Sequence, residues 1–543
     1  MTPLLRRDLP WQPPSRLARL LADRLGREGL VLLEGDGSPL GSRAVLGVDP
    51  LELVCCRGLP GESGASDPFA ALQTLVQAGG PWLGWLAYEA AAWLEPSVPW
   101  QASDMATLWA ARHDPLLHFD LVQRRCWLEG RDPQRLEALA ALIQALPPET
   151  GLAGGPAGET PETAAAARLR NGAGAAAARP VPLNAAAQRA ATAALQGPGG
   201  AVHGAAAASR QRGAASRAVA AEAAVGAAVG AAAEAQTAAA ALAMAAAADP
   251  GSITTGPSPT RQEPAAIPLS AWRWHTSPQR YAEQVRQLLA RIAAGDLFQA
   301  NLTACCEVEL AVPADPLALW DRLRRACPAP FAGLAIAAGE AVISASPERF
   351  LQLSATGEVE TRPIKGTRPR SADPCADAVA AAALVSDPKD RAENVMVVDL
   401  LRNDLGRVCR PGSITVPQLV GLESYAQVHH LTSVVSGRLR PEHDLVDLLR
   451  ACWPGGSISG APKLRACTRL HDLEPLPRGP YCGSLFHLQA DGGFDSSILI
   501  RSVMQRGRRL RVHAGGGIVA DSDPAAEAEE MGWKIRPLLQ ALA

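Results

Sequence analysis

The feature that most constrains the fold is a low-complexity segment in the middle of the chain. Residues 147–267 are dominated by alanine, with glycine, proline, threonine and glutamine, and they contain almost no leucine, isoleucine, phenylalanine or tryptophan. Such a segment buries too little apolar surface to offset the conformational entropy that ordering would cost. We therefore predict a disordered linker or insertion at 147–267, which separates an N-terminal region at 1–146 from a domain at 268–543.

The charge balance argues against polyanionic partners. The chain has 52 basic and 54 acidic residues, for a net charge of -2, so no basic surface for nucleic acid or an anionic membrane is expected. No apolar run is long enough to span a bilayer, and the N-terminus lacks the apolar core of a signal peptide. The 11 cysteines include no C-x-x-C pair, which is typical of reduced thiols. These features predict a cytoplasmic protein that binds neither nucleic acid nor membrane.

Both globular regions mix strand and helix patterns. Residues 297–308 and 496–505 are each expected to form one strand, because β-branched and apolar residues recur with turn signals on either side. Residues 388–401 follow a helical pattern that begins at a proline. Long strands with segregated helices predict an α+β fold.

One lysine stands out between two strand patterns. In the segment 361–367, Pro363 ends a ladder and Gly366 allows the backbone to pass close to a ligand. Lys365 lies between them. If Lys365 is held in a cleft, desolvation would lower the pKa of its amine and make it a usable nucleophile. By spacing alone, a surface lysine in a turn is the simpler interpretation.

Two helices carry acidic pairs. Asp390 and Glu393 are three residues apart, as are Glu527 and Glu530, so each pair shares a helix face. If the two pairs met, their carboxylates would suit Mg²⁺. Taken singly, each pair is better explained as a solvated helix face or as an ion pair, such as Glu530 with Lys534.

A glycine triplet, Gly515 to Gly517, lies between a strand pattern and the last helix. Its backbone N–H groups could bind a carboxylate. A tight turn is the alternative at this point.

Several motifs in order resemble the chorismate-utilising enzymes. The motifs are Pro363–Thr367, Asp390–Arg407, Pro454–Lys463 and Gly515–Ile518. The family includes anthranilate synthase component I, aminodeoxychorismate synthase component I, and isochorismate and salicylate synthases. The resemblance implies large antiparallel sheets packed as a sandwich with helices on the outside. It also implies that residues 1–146 are the N-terminal region of such enzymes and residues 268–543 the chorismate-binding catalytic domain.

The resemblance also implies one branch of the family. Aminodeoxychorismate synthases carry lysine at the position of Lys365, where the other branches carry alanine, and the water-adding enzymes carry lysine at the position of Gln299. The resemblance therefore implies that the protein converts chorismate and ammonia to 4-amino-4-deoxychorismate, in the biosynthesis of 4-aminobenzoate and folate. No glutamine-hydrolysing module is evident, so a separate glutamine amidotransferase subunit would supply the ammonia. Anthranilate synthase, a bifunctional enzyme and a non-catalytic scaffold stay open as alternatives.

Site residues follow from the resemblance residue by residue. The implied catalytic group is Lys365 as nucleophile, Glu348 as general acid, His430 and Thr367. The implied metal group, for Mg²⁺, is Glu393 and Glu530 with Glu527 beside them. The implied substrate contacts are Tyr481, Arg501, the amides of Gly515 and Gly517, and Lys534.

Overall fold

The computed structural model describes residues 3–147 and 266–543. All but the ends of the predicted linker, 147–267, therefore lie outside the described residues, and the division of the chain at its borders stays a prediction. The described residues on either side belong to one compact unit.

Residues 3–147 alternate short strands with helices that begin at proline. Asp67 and Asp132 cap two of these helices by accepting backbone N–H bonds, which satisfies donors that the first turn leaves free. The elements are β1 (Leu5–Leu9), α1 (Pro14–Leu25), β2 (Val31–Glu34), β3 (Arg43–Gly47), β4 (Glu52–Cys56), α2 (Pro68–Ala78), β5 (Trp82–Leu86), a 3₁₀ helix (Tyr88–Trp93), β6 (Leu108–Arg112), β7 (Leu116–Asp120), β8 (Arg125–Gly130) and α3 (Pro133–Gln144).

Residues 266–543 supply the longer strands and the remaining helices. The elements are β9 (Arg273–Trp274), α4 (Pro278–Ala293), β10 (Gln299–Glu309), α5 (Pro316–Ala326), β11 (Phe331–Ala337), β12 (Glu340–Ser346), β13 (Arg349–Leu353), β14 (Glu358–Thr361), β15 (Ile364–Pro369), α6 (Pro374–Ser386), α7 (Pro388–Gly406), β16 (Thr415–Ser424), β17 (Val428–Arg438), α8 (Leu445–Cys452), β18 (Gly460–Ala461), α9 (Lys463–His471), β19 (Ser484–Leu488), β20 (Phe494–Ile498), β21 (Ser502–Arg506), β22 (Arg509–Ile518) and α10 (Pro524–Leu542).

The strands form two antiparallel sheets. A 12-stranded sheet has the order β1-β8-β7-β3-β2-β11-β12-β21-β22-β10-β18, with β9 beside β10. A 10-stranded sheet has the order β15-β17-β14-β13-β20-β19-β5-β6-β4, with β16 beside β17. The N-terminal strand β2 pairs with β11, and β5 pairs with β19. Both described segments of the chain therefore contribute to both sheets.

The two sheets face each other across an apolar core. Gly333 of the larger sheet approaches Leu485 of the smaller one so closely that a side chain there would overlap it. Trp85 and Trp109 stack within this core with ring centroids 4.8 Å apart. On its other face the larger sheet packs against helices through residues such as Trp320, which is fully buried. The predicted α+β sandwich with outer helices is confirmed. Among the described helices, none is long and apolar enough to cross a membrane.

The prediction of one strand over 496–505 was wrong. β20 ends at Ile498 in the smaller sheet, and β21 begins at Ser502 in the larger sheet. Between them Arg501 takes a left-handed conformation with φ 51°. The apolar pattern continues through this crossing because both strands are buried, so the pattern gave no sign of the break.

Candidate active site

Two crossings between the sheets build one side of the site. Glu348 lies where the chain passes from β12 to β13, and Arg501 lies where it passes from β20 to β21. Hydrogen bonds join the crossings: the N–H of Ile498 donates to the carbonyl of Glu348 at 3.1 Å, and that of Ala345 donates to the carbonyl of Arg501 at 3.1 Å. The fold thus holds an acid and a guanidinium at the same end of the sandwich.

Lys365 lies on β15 at a bulge. The register of β15 with β17 shifts between Lys365 and Thr367, and the intervening Gly366 has φ 78°. A side chain at Gly366 would crowd Asp390 of α7 at 2.9 Å, so glycine lets the strand approach that helix. The Lys365 side chain is only 11% exposed, and its Nζ lies 2.7 Å from Oε1 of Glu393. The surface-lysine interpretation is therefore wrong.

The pKa of Lys365 differs from the prediction. Burial lowers the pKa of the amine, but the carboxylates of Glu393, Glu348 and Glu530 together raise it more, so the net pKa is raised. The prediction considered desolvation and not the acidic neighbours that the fold brings to the lysine. In this state the amine is an ammonium, and a base must take its proton before it can act as a nucleophile.

Glu348 has the properties of a general acid. The side chain is buried, and burial raises the pKa of its carboxyl group to about 7, against the opposing effects of Ser457 and Lys365. The hydroxyl of Ser457 donates to Oε1 of Glu348 at 2.7 Å. An acid with a pKa near neutrality can both hold and release a proton at working pH.

The acidic pairs of α7 and α10 meet at the same place. The charges of Glu393 and Glu530 both act on Lys365 and on Asp390. Three lysines neutralise the cluster: Lys365 pairs with Glu393, Lys389 with Glu527 at 2.7 Å, and Lys534 with Glu530 at 2.8 Å. In this charge-paired arrangement, the part of the chain that the structure describes contains no group of three or more histidine, cysteine or acidic side chains placed to hold a metal ion.

The donor chemistry nonetheless suits Mg²⁺. Oε1 of Gln299 is a buried oxygen without a hydrogen-bond partner, and Oδ2 of Asp390, which also has none, lies 3.4 Å from the guanidinium of Arg368. Gln299 Nε2 donates to Oε1 of Glu393 at 3.2 Å, and the charge of Glu393 acts on Asp390, so both oxygens lie near Glu393. Hard carboxylate and amide oxygens, with room for water and a substrate carboxylate, are the ligands that Mg²⁺ prefers.

The glycine triplet lies inside a strand, so the alternative of a tight turn was wrong. Gly515, Gly516 and Gly517 pair with residues 303 to 301 of β10. On its other side β22 pairs with β21 through residues 509–512 only. No described strand therefore covers the glycines on that side, and N–H groups that point there can bind a ligand. A side chain at Gly517 would overlap Oε1 of Glu393. The amine of Lys534 donates to the carbonyl of Gly515 at 2.9 Å.

Among the described residues Arg501 has no acidic partner, and no hydrogen bond or ion pair of its guanidinium with another described side chain is found. The side chain is partly buried, and burial lowers its pKa. Its charge also lowers the pKa of His430, after the larger effect of burial, to about 3. Nδ1 of His430 lies 2.9 Å from the hydroxyl of Thr367. A partly buried guanidinium beside a neutral histidine, without a carboxylate partner in the described part of the chain, is suited to binding an anionic group.

Tyr481 borders the same crossing. Its ring stacks on that of His513 with centroids 4.9 Å apart, and the N–H of the next residue, Cys482, donates to the carbonyl of Leu499 at 2.8 Å. The predicted catalytic, metal and substrate residues are therefore distributed around one end of the sandwich. Sequence reasoning missed Ser457 and Lys389. Ser457 lies within the glycine-rich motif 454–463, and Lys389 precedes Asp390, but neither position showed what its side chain would contact.

Comparison with known proteins bears on this site. The sequence model of a family described as chorismate binding enzyme matches residues 209–540, which is more than half of the chain. The chain belongs to the chorismate binding enzyme family.

Curated members of this family with two different names resemble the chain at similar levels. Aminodeoxychorismate synthase component 1 of Klebsiella aerogenes is 47% identical over 273 residues, which is 50% of this chain and 60% of that protein. The Escherichia coli protein of the same name is 41% identical over 273 residues, with the same shares. Anthranilate synthase component 1 of Streptomyces coelicolor is 43% identical over 281 residues, 51% of this chain and 54% of that protein. The chain thus spans somewhat less than two thirds of the length of these relatives.

Solved structures of other proteins support the fold. Anthranilate synthase component I from Streptococcus pneumoniae TIGR4 superposes with a TM-score of 0.61 at 22% identity, covering 92% of each chain. MenF, the menaquinone-specific isochorismate synthase from Escherichia coli, gives a TM-score of 0.61 at 15% identity, covering 100% of this chain and 94% of MenF. Proteins whose names give different reactions therefore share this architecture.

Proposed function

We propose that the protein is an aminodeoxychorismate synthase component I, which converts chorismate and ammonia to 4-amino-4-deoxychorismate. The observation that carries the proposal is the buried amine of Lys365, 2.7 Å from Glu393 and close enough to Glu348 that each shifts the pKa of the other. An amine and a carboxylic acid held near each other are the two groups that displacement of a ring hydroxyl requires. The relatives of that name support the same reaction.

In the first step the neutral amine of Lys365 attacks C2 of chorismate. The N–C2 bond forms, the two ring double bonds each move by one position, and the C4–O bond breaks. Glu348 gives its proton to the departing 4-hydroxyl group, which leaves as water. The product of this step is a covalent amine adduct between the ring and Lys365.

In the second step ammonia attacks C4 of the adduct. The C4–N bond forms, the double bonds return to their first positions, and the C2–N bond breaks, so that the ammonium nitrogen of the adduct leaves as the neutral amine of Lys365. The new ammonium group at C4 then gives a proton to the carboxylate of Glu348, which restores the acid. One ammonia is consumed and one water is released over the two steps. Nitrogen arrives at C4 because Lys365 occupies C2, so the lysine determines the position of amination as well as its rate.

The remaining residues would bind and orient the substrate. Arg501, with an unpaired guanidinium, suits the enolpyruvyl carboxylate in a bidentate contact, assisted by Tyr481 and the free amides of Gly515 and Gly517. Thr367 and His430 form a neutral hydrogen-bonded pair beside that carboxylate. Lys534 donates a hydrogen bond to the carbonyl of Gly515 and forms an ion pair with Glu530.

Glu393 and Glu530 would hold Mg²⁺, with Glu527 next to them. The ion would supply positive charge to bind the ring carboxylate of chorismate. In this structure Lys365 forms an ion pair with Glu393, so its ammonium group must lose a proton before it can attack.

We propose that ammonia comes from a separate glutamine amidotransferase subunit. The term component 1 in the names of the relatives supports a second component. The direct test of the activity therefore uses an ammonium salt, which makes it independent of that partner.

A second candidate is anthranilate synthase component I, favoured by relatives of that name at 43% and 41% identity. The test that separates the two is product analysis. Purified protein is incubated with chorismate, Mg²⁺ and ammonium sulfate, and the products are separated by chromatography with mass detection. We expect 4-amino-4-deoxychorismate. Anthranilate as the main product would favour the second candidate, and absence of turnover would favour a non-catalytic scaffold.

A further inference from the structure

Ser457 contacts both reacting groups of the proposed mechanism. Its hydroxyl donates to Oε1 of Glu348 at 2.7 Å, and its carbonyl accepts a hydrogen bond from Nζ of Lys365 at 3.3 Å. Ser457 is itself buried. The hydroxyl of a serine rotates freely unless a partner holds it. The bond to Glu348 therefore fixes the rotation of this hydroxyl, and its position depends on the turn that carries Ser457.

A buried cation holds that turn. Ser457 lies in a short 3₁₀ turn, Gly456–Ile458, and the guanidinium of Arg478 donates to the carbonyl of Ile458 at 2.9 Å. The same guanidinium donates to the carbonyl of Asn301 at 2.7 Å and pairs with Glu474 through two hydrogen bonds. The Arg478 side chain is 2% exposed. Because a buried charge with satisfied partners is rigid, Arg478 holds the turn in place.

We infer that Ser457 is a positioning residue that sets the general acid and the nucleophile relative to each other, its hydroxyl fixing the carboxyl group of Glu348 and its carbonyl fixing the amine of Lys365. This inference rests on the proposed function. It adds that the spacing of acid and amine is determined by a third residue, which contacts both groups but forms no bond to the substrate and transfers no proton.

The inference has a consequence for the acidity of Glu348. A hydrogen bond donated to a carboxylate stabilises the ionised form, so removing the hydroxyl raises the pKa of the acid. Such a bond to a charged group is worth enough to move a pKa by about one unit. The charged group that faces Glu348 is Lys365, which stays in place in a Ser457 variant. The proposed acid must be protonated, so the pH above which the rate falls should rise.

The test measures the titration of Glu348 in the full-length protein with Mg²⁺ present. Difference infrared spectroscopy follows the carboxyl band against pH, and Glu348→Gln identifies the band by its loss. Buried Glu89, whose pKa burial also raises to about 7, gives a band that persists in this control. In Ser457→Ala we expect the Glu348 midpoint to rise by about one pH unit, with the alkaline limb of kcat/KM moving in the same direction.

Two further variants make the result specific. Ser457→Cys keeps the size of the side chain with a weaker donor and should give a smaller rise; if the alanine variant does not fold, the cysteine variant decides alone. Ser459→Ala is the matched control, because Ser459 donates to the carbonyl of Gly455 at 2.8 Å without contacting Glu348. An unchanged midpoint in the Ser457 variants, or an equal rise in Ser459→Ala, would overturn the inference. A parent protein without chorismate turnover would refute the proposed function instead, since the infrared midpoint requires no turnover.

Discussion

Nζ of Lys365 lies 2.7 Å from Oε1 of Glu393, so the ion pair joins the bulged strand β15 to the helix α7. The pair places the proposed nucleophile next to a proposed metal ligand. It also keeps the amine protonated, because the carboxylate raises its pKa against the effect of burial. The contact thus keeps the lysine in its protonated, non-nucleophilic form.

The acid function of Glu348 predicts a definite pH dependence. Burial raises the pKa of Glu348 to about 7, and the mechanism uses the protonated form. The rate of the chemical step should therefore fall as pH rises through about 7. In Glu348→Gln we expect kcat/KM to fall by about 10²- to 10⁴-fold and this alkaline limb to disappear. A variant that kept both the parent rate and the parent pH profile would remove Glu348 from the mechanism.

The carboxylates of α7 and α10 should bind a divalent cation together. Binding of Mn²⁺ as a probe can be followed by electron paramagnetic resonance in the absence of chorismate. We expect Glu393→Ala and Glu530→Ala each to weaken binding by more than about tenfold. Glu529→Ala is the matched control, because Glu529 is exposed on the same helix and should leave the affinity as it is. Equal affinities in all three variants would place the metal elsewhere.

The unpaired guanidinium of Arg501 should act mainly in substrate binding. Arg501→Lys keeps the charge and loses the planar fork, so one of two hydrogen bonds to a carboxylate is lost. We expect KM for chorismate to rise by about tenfold or more, since a hydrogen bond to a charged group contributes on the order of 1.5–3 kcal/mol. Steady-state kinetics measure the change. If KM stayed at the parent value and only kcat fell, a role in carboxylate binding would be refuted.

Buried neutral histidines should destabilise the fold in acid. Burial lowers the pKa of His487 to about 3 and that of His113 to about 4, whereas both titrate near 6.5 in the unfolded chain. A group whose pKa is lower in the folded state supports stability above pH about 6.5, and that support is lost as pH falls. The loss is about 1.4 kcal/mol per pH unit for each group.

The variant His487→Phe isolates one such group. We expect its free energy of unfolding to depend less on pH between about 6.5 and 4 than that of the parent, as measured by urea titration. His471→Phe is the control, because His471 lies at the partly exposed end of α9. Identical pH slopes in the parent protein and in His487→Phe would contradict the account of a neutral buried imidazole.

The patterns at 297–308 and 388–401 predicted β10 and α7, because buried apolar residues and a proline at the first helical position leave signatures over a few positions. The sequence was therefore sufficient for part of the local structure. It was insufficient wherever a residue's environment came from distant segments. The crossing at Arg501, the strand conformation of Gly515–Gly517 and the raised pKa of Lys365 all depend on neighbours more than fifteen positions away in the chain.

Ser457 illustrates the same limit. It lies in a recognisable glycine-rich motif, yet its partner Glu348 is separated from it by 109 positions. Only the folded chain brings the hydroxyl to the acid. Ser457 acts by holding Glu348 and Lys365 at a set distance from each other. No short sequence pattern shows which remote segments will lie next to each other in the fold.

The central claim is that the amine of Lys365 forms a bond to the substrate ring. The most direct test incubates the protein with chorismate and Mg²⁺ without ammonia, quenches the reaction, and analyses the peptides by mass spectrometry. We expect the peptide with Lys365 to gain the mass of chorismate less one water, and Lys365→Ala to lose both this adduct and the C4-aminated product. Failure to find the adduct, together with a Lys365→Ala variant that makes 4-amino-4-deoxychorismate at the parent rate, would contradict the account.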